Sequence, residues 1–99
     1  GFLENIYATA LSIELSTRGV AFERERAISV EYRGTPIPGQ RIDFIVAQSV
    51  IIEVKSVARL DPIFQAKLIS YLRTTGLRAG LLINFNSMLL KEGLKRVVL

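Results

Sequence analysis

Residues 79–85 (AGLLINF) form a nearly continuous apolar run, the pattern of a strand covered on both faces. A strand buried on both sides needs a layer above it and a layer below it, which points to helices packed around a sheet. Upstream, residues 50–56 (VIIEVKS) read as another strand, and Asp61 and Pro62 read as a helix start. Aspartate caps the free N–H groups there, and proline at the first helical position has no N–H to lose. The helix is expected to run to Thr75 and to close at Gly76. The strand–helix–strand passage from 50 to 85 predicts a right-handed crossover and a parallel strand pair.

The first half of the chain supplies the rest of the sheet. Residues 2–18 (FLENIYATALSIELSTR) have helical composition, with Gly19 as the stop. Residues 27–33 (AISVEYR) alternate with period two and predict a strand, after which Gly34, Pro36, Pro38 and Gly39 predict a loop. Residues 41–47 (RIDFIVA) predict a strand joined to 50–56 by a short turn around Gln48 and Ser49, an antiparallel hairpin. Residues 94–99 (LKRVVL) predict a short edge strand. The order α-β-β-β-α-β-(β) is an α/β mixed sheet flanked by helices. With 99 residues and no linker or repeat, residues 1–99 are expected to form one domain.

Composition narrows the chemistry. Apolar residues make up 49% of the chain and charged residues 22%, which is globular rather than disordered. There is no cysteine, histidine or tryptophan. Disulfides, thiolate zinc sites, thiol nucleophiles and imidazole bases are therefore excluded. Chemistry must run on carboxylates, lysine, arginine, hydroxyls or a hard, oxygen-loving metal ion. The net charge of +4 is uneven: residues 1–49 hold five arginines against six acids, and residues 50–99 hold eight bases against three acids. That bias favours anionic partners such as nucleic acid. No apolar run is long enough to span a membrane, and the first residues lack signal-peptide order, so the expected compartment is the cytoplasm. A start at Gly1 is consistent with a trimmed or incomplete amino terminus.

On a helical wheel, Leu11 and Leu15 lie about 20° either side of Glu4, and Ala8 about 40° away. Glu4 therefore points along an apolar stripe, where a lone carboxylate needs a cation, a metal or donors; alternatively it sits in the first turn and complements the helix dipole. Glu14 falls at the edge of the stripe, the place of a flanking salt-bridge residue. Phe2, Ile6 and Ile13 form a second apolar stripe roughly opposite Glu4. Such a helix is either buried on two sides or meets a second copy of the chain in a symmetric dimer.

In the hairpin, alternation places Arg41, Asp43 and Ile45 on one face, with Ile42, Phe44 and Val46 on the other. Ile51, Glu53 and Lys55 likewise share a face. Across a three-residue or bulged turn, Asp43 and Glu53 sit directly opposite, with Cβ atoms roughly 4.5–5.5 Å apart. Two carboxylates that close repel unless a divalent cation lies between them, and Lys55 adds a positive group to the patch. The alternative is an Asp-Lys-Glu salt-bridge network facing solvent.

Asp43, followed ten residues later by Glu53-Val54-Lys55, resembles the catalytic core of the PD-(D/E)XK nuclease superfamily. The opening Gly1-Phe2-Leu3-Glu4-Asn5-Ile6-Tyr7 is similar to the GxxExxY signature of one small branch of that superfamily. ALSIEL (10–15), RIDFIV (41–46), ISYLRTTGLRAGLLINF (69–85) and GLKRVVL (93–99) extend the likeness over essentially the whole chain. The resemblance implies a restriction-endonuclease-like αβββαβ core. It implies that Asp43, Glu53 and the backbone carbonyl of Val54 bind Mg²⁺ or Mn²⁺, with Glu4 completing or aligning the metal site. It implies that Lys55 orients or activates the attacking water or stabilises charge on the phosphate. Related nucleases often carry glutamine four residues before the helix tyrosine; here Lys67 stands there ahead of Tyr71, with Gln65 two residues earlier. Lys67 and Tyr71 are one turn apart, so both can face the sheet site.

The expected function is metal-dependent hydrolysis of phosphodiester bonds in DNA or RNA, with Arg41, Lys67 and Arg73 available for phosphates. Two other readings stand beside it. One is a non-catalytic domain that keeps the nuclease fold for nucleic-acid binding or assembly. The other is a structural dimer built on the two-faced first helix.

Overall fold

A computed structural model describes residues 1–86 and 93–99. The chain runs α1 (Phe2–Thr17), β1 (Phe22–Tyr32), β2 (Thr35–Val46), β3 (Val50–Lys55), α2 (Pro62–Thr75), β4 (Ala79–Asn84) and β5 (Leu94–Val98). The five strands form one sheet in sequence order. β1–β2, β2–β3 and β4–β5 pair antiparallel, and β3–β4 pair parallel. This is the mixed sheet flanked by helices that the residue pattern predicts.

Local chemistry explains the boundaries. The Asp61 side chain accepts from the Ile63 N–H at 2.9 Å, with Pro62 behind it, and Gly76 ends α2 in the left-handed conformation at φ 77°. Between β2 and β3, Ala47 and Gln48 both take positive φ (52° and 54°), and the Ser49 N–H donates to the Val46 carbonyl at 3.0 Å. The turn is therefore centred on Ala47–Gln48, one residue earlier than expected. Paired positive φ angles match the right-handed twist of the strands they join.

The helices cover opposite faces. α2 seats Leu68, Tyr71 and Leu72 in a core with Ile42, Ile45, Ile51, Leu82 and Val97. Gly80 makes that approach close, because a Cβ there would lie 2.8 Å from Leu68. α1 places Ala8 against Phe44, Ile52, Val54 and Ile83, flanked by Leu11 and Leu15. Tyr7 stacks flat on Phe85 with ring centroids 4.7 Å apart, fixing the start of α1 over the end of β4. The expected apolar stripe containing Ala8, Leu11 and Leu15 thus faces the sheet. The second stripe is not buried: Phe2, Ile6 and Ile13 are 81%, 46% and 61% exposed. No helix is long and apolar enough to cross a membrane among the described residues.

Two further expectations fail. Residues 34–39 are not a loop, since β1 and β2 form one long hairpin that turns at Arg33–Gly34. Pro36 and Ile37 pair with Glu31 and Val30, and a register shift between Ile28 and Val30 absorbs Pro38 and Gly39. β3 pairs with β2 only over Phe44–Val46, so no third strand needs the N–H groups that the prolines lack. The second failure lies in β2, where strict alternation would put Ile42 with Phe44. Ile42 instead packs with Ile45 on the α2 side, while Phe44 faces α1. The alternation breaks at Asp43. Across from it, Glu25 of β1 takes φ 51°, and the β1–β2 ladder skips this pair.

Candidate active site

The β2–β3 hairpin is a regular ladder through Val46–Val50, Ile45–Ile51 and Phe44–Ile52, and continuing that register sets Asp43 opposite Glu53. There the ladder opens. The Asp43 N–H donates to Glu53 Oε2 at 2.8 Å, and the Val54 N–H donates to Asp43 Oδ2 at 2.8 Å. Carboxylate oxygens have taken over as acceptors between the diverging strands. β3 itself stays fixed beyond this fork, because Glu53, Val54 and Lys55 pair with Leu82, Ile83 and Asn84 of β4.

The cost of this arrangement is electrostatic. Burial pushes the Glu53 carboxyl up to about 7 and the Asp43 carboxylate adds to the push, against the opposing pull of the Asp43 N–H, Lys55 and Lys67. Glu53 is only 6% exposed. Burial also raises Asp43, opposed by its bond from the Val54 N–H and by Lys55; Glu4 raises it further, and Arg24 lowers it. Lys55 makes no ion pair among the described residues, and its Nζ sits 4.9 Å from the Phe64 ring centroid. A solvent-facing Asp-Lys-Glu salt-bridge network is therefore not what the structure forms.

Asp43 also lines a cavity of about 160 Å³ with Glu4, Asn5 and Ala8 of α1, Arg24 and Glu25 of β1, and Val54. The fork thus opens towards α1 through Asp43. On the α2 side, Glu53 feels the charge of Lys67, and the Glu53 and Asp43 charges both act on Tyr71, whose hydroxyl is raised chiefly by burial. The Tyr71 hydroxyl donates to Gln40 Oε1 at 3.4 Å. Lys67 itself is exposed and makes no ion pair into the site among the described residues. Arg41 is exposed, and Arg73 lines a separate concavity with Val30, Glu31 and Ser70. Neither shares the carboxylate cavity.

Glu4, Asp43 and Glu53 do not close into a three-ligand cluster: among the described residues no three acidic, histidine or cysteine side chains do. The donor set at the fork is two carboxylates. Each spends one oxygen on a backbone N–H and leaves its second oxygen outside the hydrogen bonds of the described residues. Mg²⁺ is commonly held by one or two carboxylates while keeping several waters, so this all-oxygen pair fits such an ion. Zinc, which favours nitrogen and sulfur, has no such ligands here.

Several contributors escape sequence reasoning. Arg24 and Glu25 belong to an alternating charged run, Glu23 to Arg26, in which nothing marks either one. Gln40 falls between the expected loop and the strand expected from Arg41, where nothing marks it. Asn84 is buried, accepting from the Val57 N–H at 3.1 Å and donating to the Val57 carbonyl at 2.9 Å, which ties down the chain leaving Lys55. A polar residue inside the apolar run 79–85 was the available signal for it.

The sequence model of the PD-(D/E)XK nuclease superfamily matches residues 1–97. A search of curated proteins finds no match. Among solved structures, the crystal structure of SSO0001 is similar with a TM-score of 0.65 at 20% identity, over 97% of this chain and 50% of that one. At that identity the likeness is one of fold, and the chain spans about half the length of that protein.

Proposed function

The chain belongs to the PD-(D/E)XK nuclease superfamily, whose members generally depend on divalent metal, and from that premise we propose that it is a metal-dependent phosphodiesterase acting on DNA or RNA, of the GxxExxY branch. The observation that carries this reading is the fork, where two opposed carboxylates are held by each other's strands and strained by mutual repulsion and burial. Asp43 and Glu53 would hold Mg²⁺ or Mn²⁺, with the Val54 carbonyl helping. The ion would supply Lewis-acid polarisation of a phosphate oxygen and a more acidic water. Lys55, whose charge already acts on both carboxylates, would offer its Nζ–H donors to the attacking water or to the oxygen gaining charge. Glu4, which lines the same cavity as Asp43, would align that water network rather than bind the ion directly.

Titrating Mg²⁺ and Mn²⁺ with single- and double-stranded substrates tests the reading. Cleavage that follows metal occupancy and vanishes in Glu53→Ala is expected. No cleavage above the Glu53→Ala control at any metal concentration contradicts it.

The observation favouring a non-catalytic nucleic-acid-binding domain is Lys67, whose charge acts on Glu53 and would compete with a cation. On that reading, Asp43→Asn leaves nucleic-acid affinity unchanged or improved and no metal enhances it. The exposed stripe of Phe2, Ile6 and Ile13 supports a dimer through α1, and sedimentation at micromolar concentration would read it.

A further inference from the structure

We propose that Arg24 is a phosphate-holding residue of this site, its guanidinium binding a non-bridging oxygen of the nucleic-acid phosphate that lies beside Asp43. The inference rests on the phosphodiesterase reading and adds a residue to it. Arg24 lines the cavity that also holds Glu4, Glu25 and Asp43. Despite three neighbouring acids, it forms no ion pair among the described residues. Its Nε is buried and without a hydrogen-bond partner among the described residues. With no ion pair and no partner for its Nε–H among the described residues, the guanidinium is not spent on the chain's own acceptors, and its outward donors are left for one that arrives.

The side chain is also held in place. Arg24 pairs with Phe44 across β1 and β2, and its guanidinium carbon lies 5.3 Å from the centre of the Phe44 ring. A guanidinium supported on an aromatic face is weakly hydrated, and its rigid fork of donors matches phosphate oxygens. The distorted β1 segment at Glu25, φ 51°, immediately follows Arg24 at the position where β2 breaks its alternation. The same local irregularity therefore brings Asp43 and Arg24 to one cavity. That cavity is large enough for about five waters at roughly 30 Å³ each, room for a phosphate group that displaces them. An anion entering it meets three carboxylates, and among the described residues Arg24 is the cation lining the same walls.

The test is binding of fluorescein-labelled single- and double-stranded oligonucleotides by anisotropy over a salt series. Ca²⁺ is present as the hard cation, and cleavage in Mg²⁺ or Mn²⁺ is measured in parallel. Arg24→Met keeps an unbranched side chain of similar reach opposite Phe44 and removes the charge. It is expected to weaken binding about tenfold or more, to lower the salt slope by about one, and to raise KM more than it lowers kcat. Arg24→Lys should keep the salt slope and recover part of the affinity, and it serves as the reference if Arg24→Met fails to fold. An Arg24→Met protein with wild-type affinity and slope, or an Arg24→Lys protein with neither, overturns the proposal while leaving the phosphodiesterase reading intact. A wild-type protein that binds no oligonucleotide overturns both.

Discussion

The two ends of the β2–β3 hairpin are built from the same strands and behave oppositely. At the turn end, Phe44, Ile45 and Val46 pair in register with Ile52, Ile51 and Val50, and the side chains fill two cores. One residue further on, Asp43 and Glu53 face each other, and carboxylates stand where carbonyls would accept. The turn end gains stability from burial, whereas the fork end gives some of it up by burying repelling acids. A protein keeps such a liability where it is used, and β4 anchors β3 so that the liability does not spread.

That contrast can be broken from either side. The largest expected effect is at the turn end. Ile51→Ala removes a fully buried side chain and should cost about 2–5 kcal/mol by denaturant melts, equally at pH 5 and about pH 7.5. A strong pH dependence of that loss would show the ends are not separable.

At the fork, the effect should carry the opposite sign and depend on pH. Because Glu53 is raised in the folded state, folding takes up a proton between its ordinary value of 4.5 and about 7. Its contribution to stability is therefore fully present below about pH 4.5 and is lost as pH rises through about 7. Glu53→Gln keeps an acceptor for the Asp43 N–H and removes the charge. In metal-free buffer it should exceed the wild type by up to about 3 kcal/mol near pH 7.5, with the two converging on acidification. Equal stabilities across that range would mean Glu53 is not strained.

The smallest effect returns to the turn. Ala47→Gly relieves a left-handed residue and should change stability by about 0.5–1 kcal/mol, with no change in pH dependence. A larger effect, or one that varies with pH, would tie the turn to the fork.

The same contrast separates what a reader of the sequence can find from what lies hidden. Capping at Asp61–Pro62 and Gly76, the apolar run of β4 and the opposition of Asp43 and Glu53 are local or depend on even spacing, and all are legible. Pro36 and Pro38 mislead because their cost depends on which strands lie alongside, a matter of topology. The reversal at Ile42–Asp43 is hidden for a related reason, since it accompanies an irregular Glu25 on a different strand. Arg24 becomes recognisable only once that irregularity has set it beside Asp43, and Gln40 only once β2 brings it under Tyr71.

Mn²⁺ binding followed by electron paramagnetic resonance tests the central claim most directly. The wild-type chain is expected to take up Mn²⁺, and Asp43→Asn and Glu53→Gln each to weaken uptake severely, while Ile51→Ala, where folded, retains it. Uptake unchanged in the Asp43→Asn, Glu53→Gln double variant, or no uptake by the wild type, would contradict a metal site at the fork.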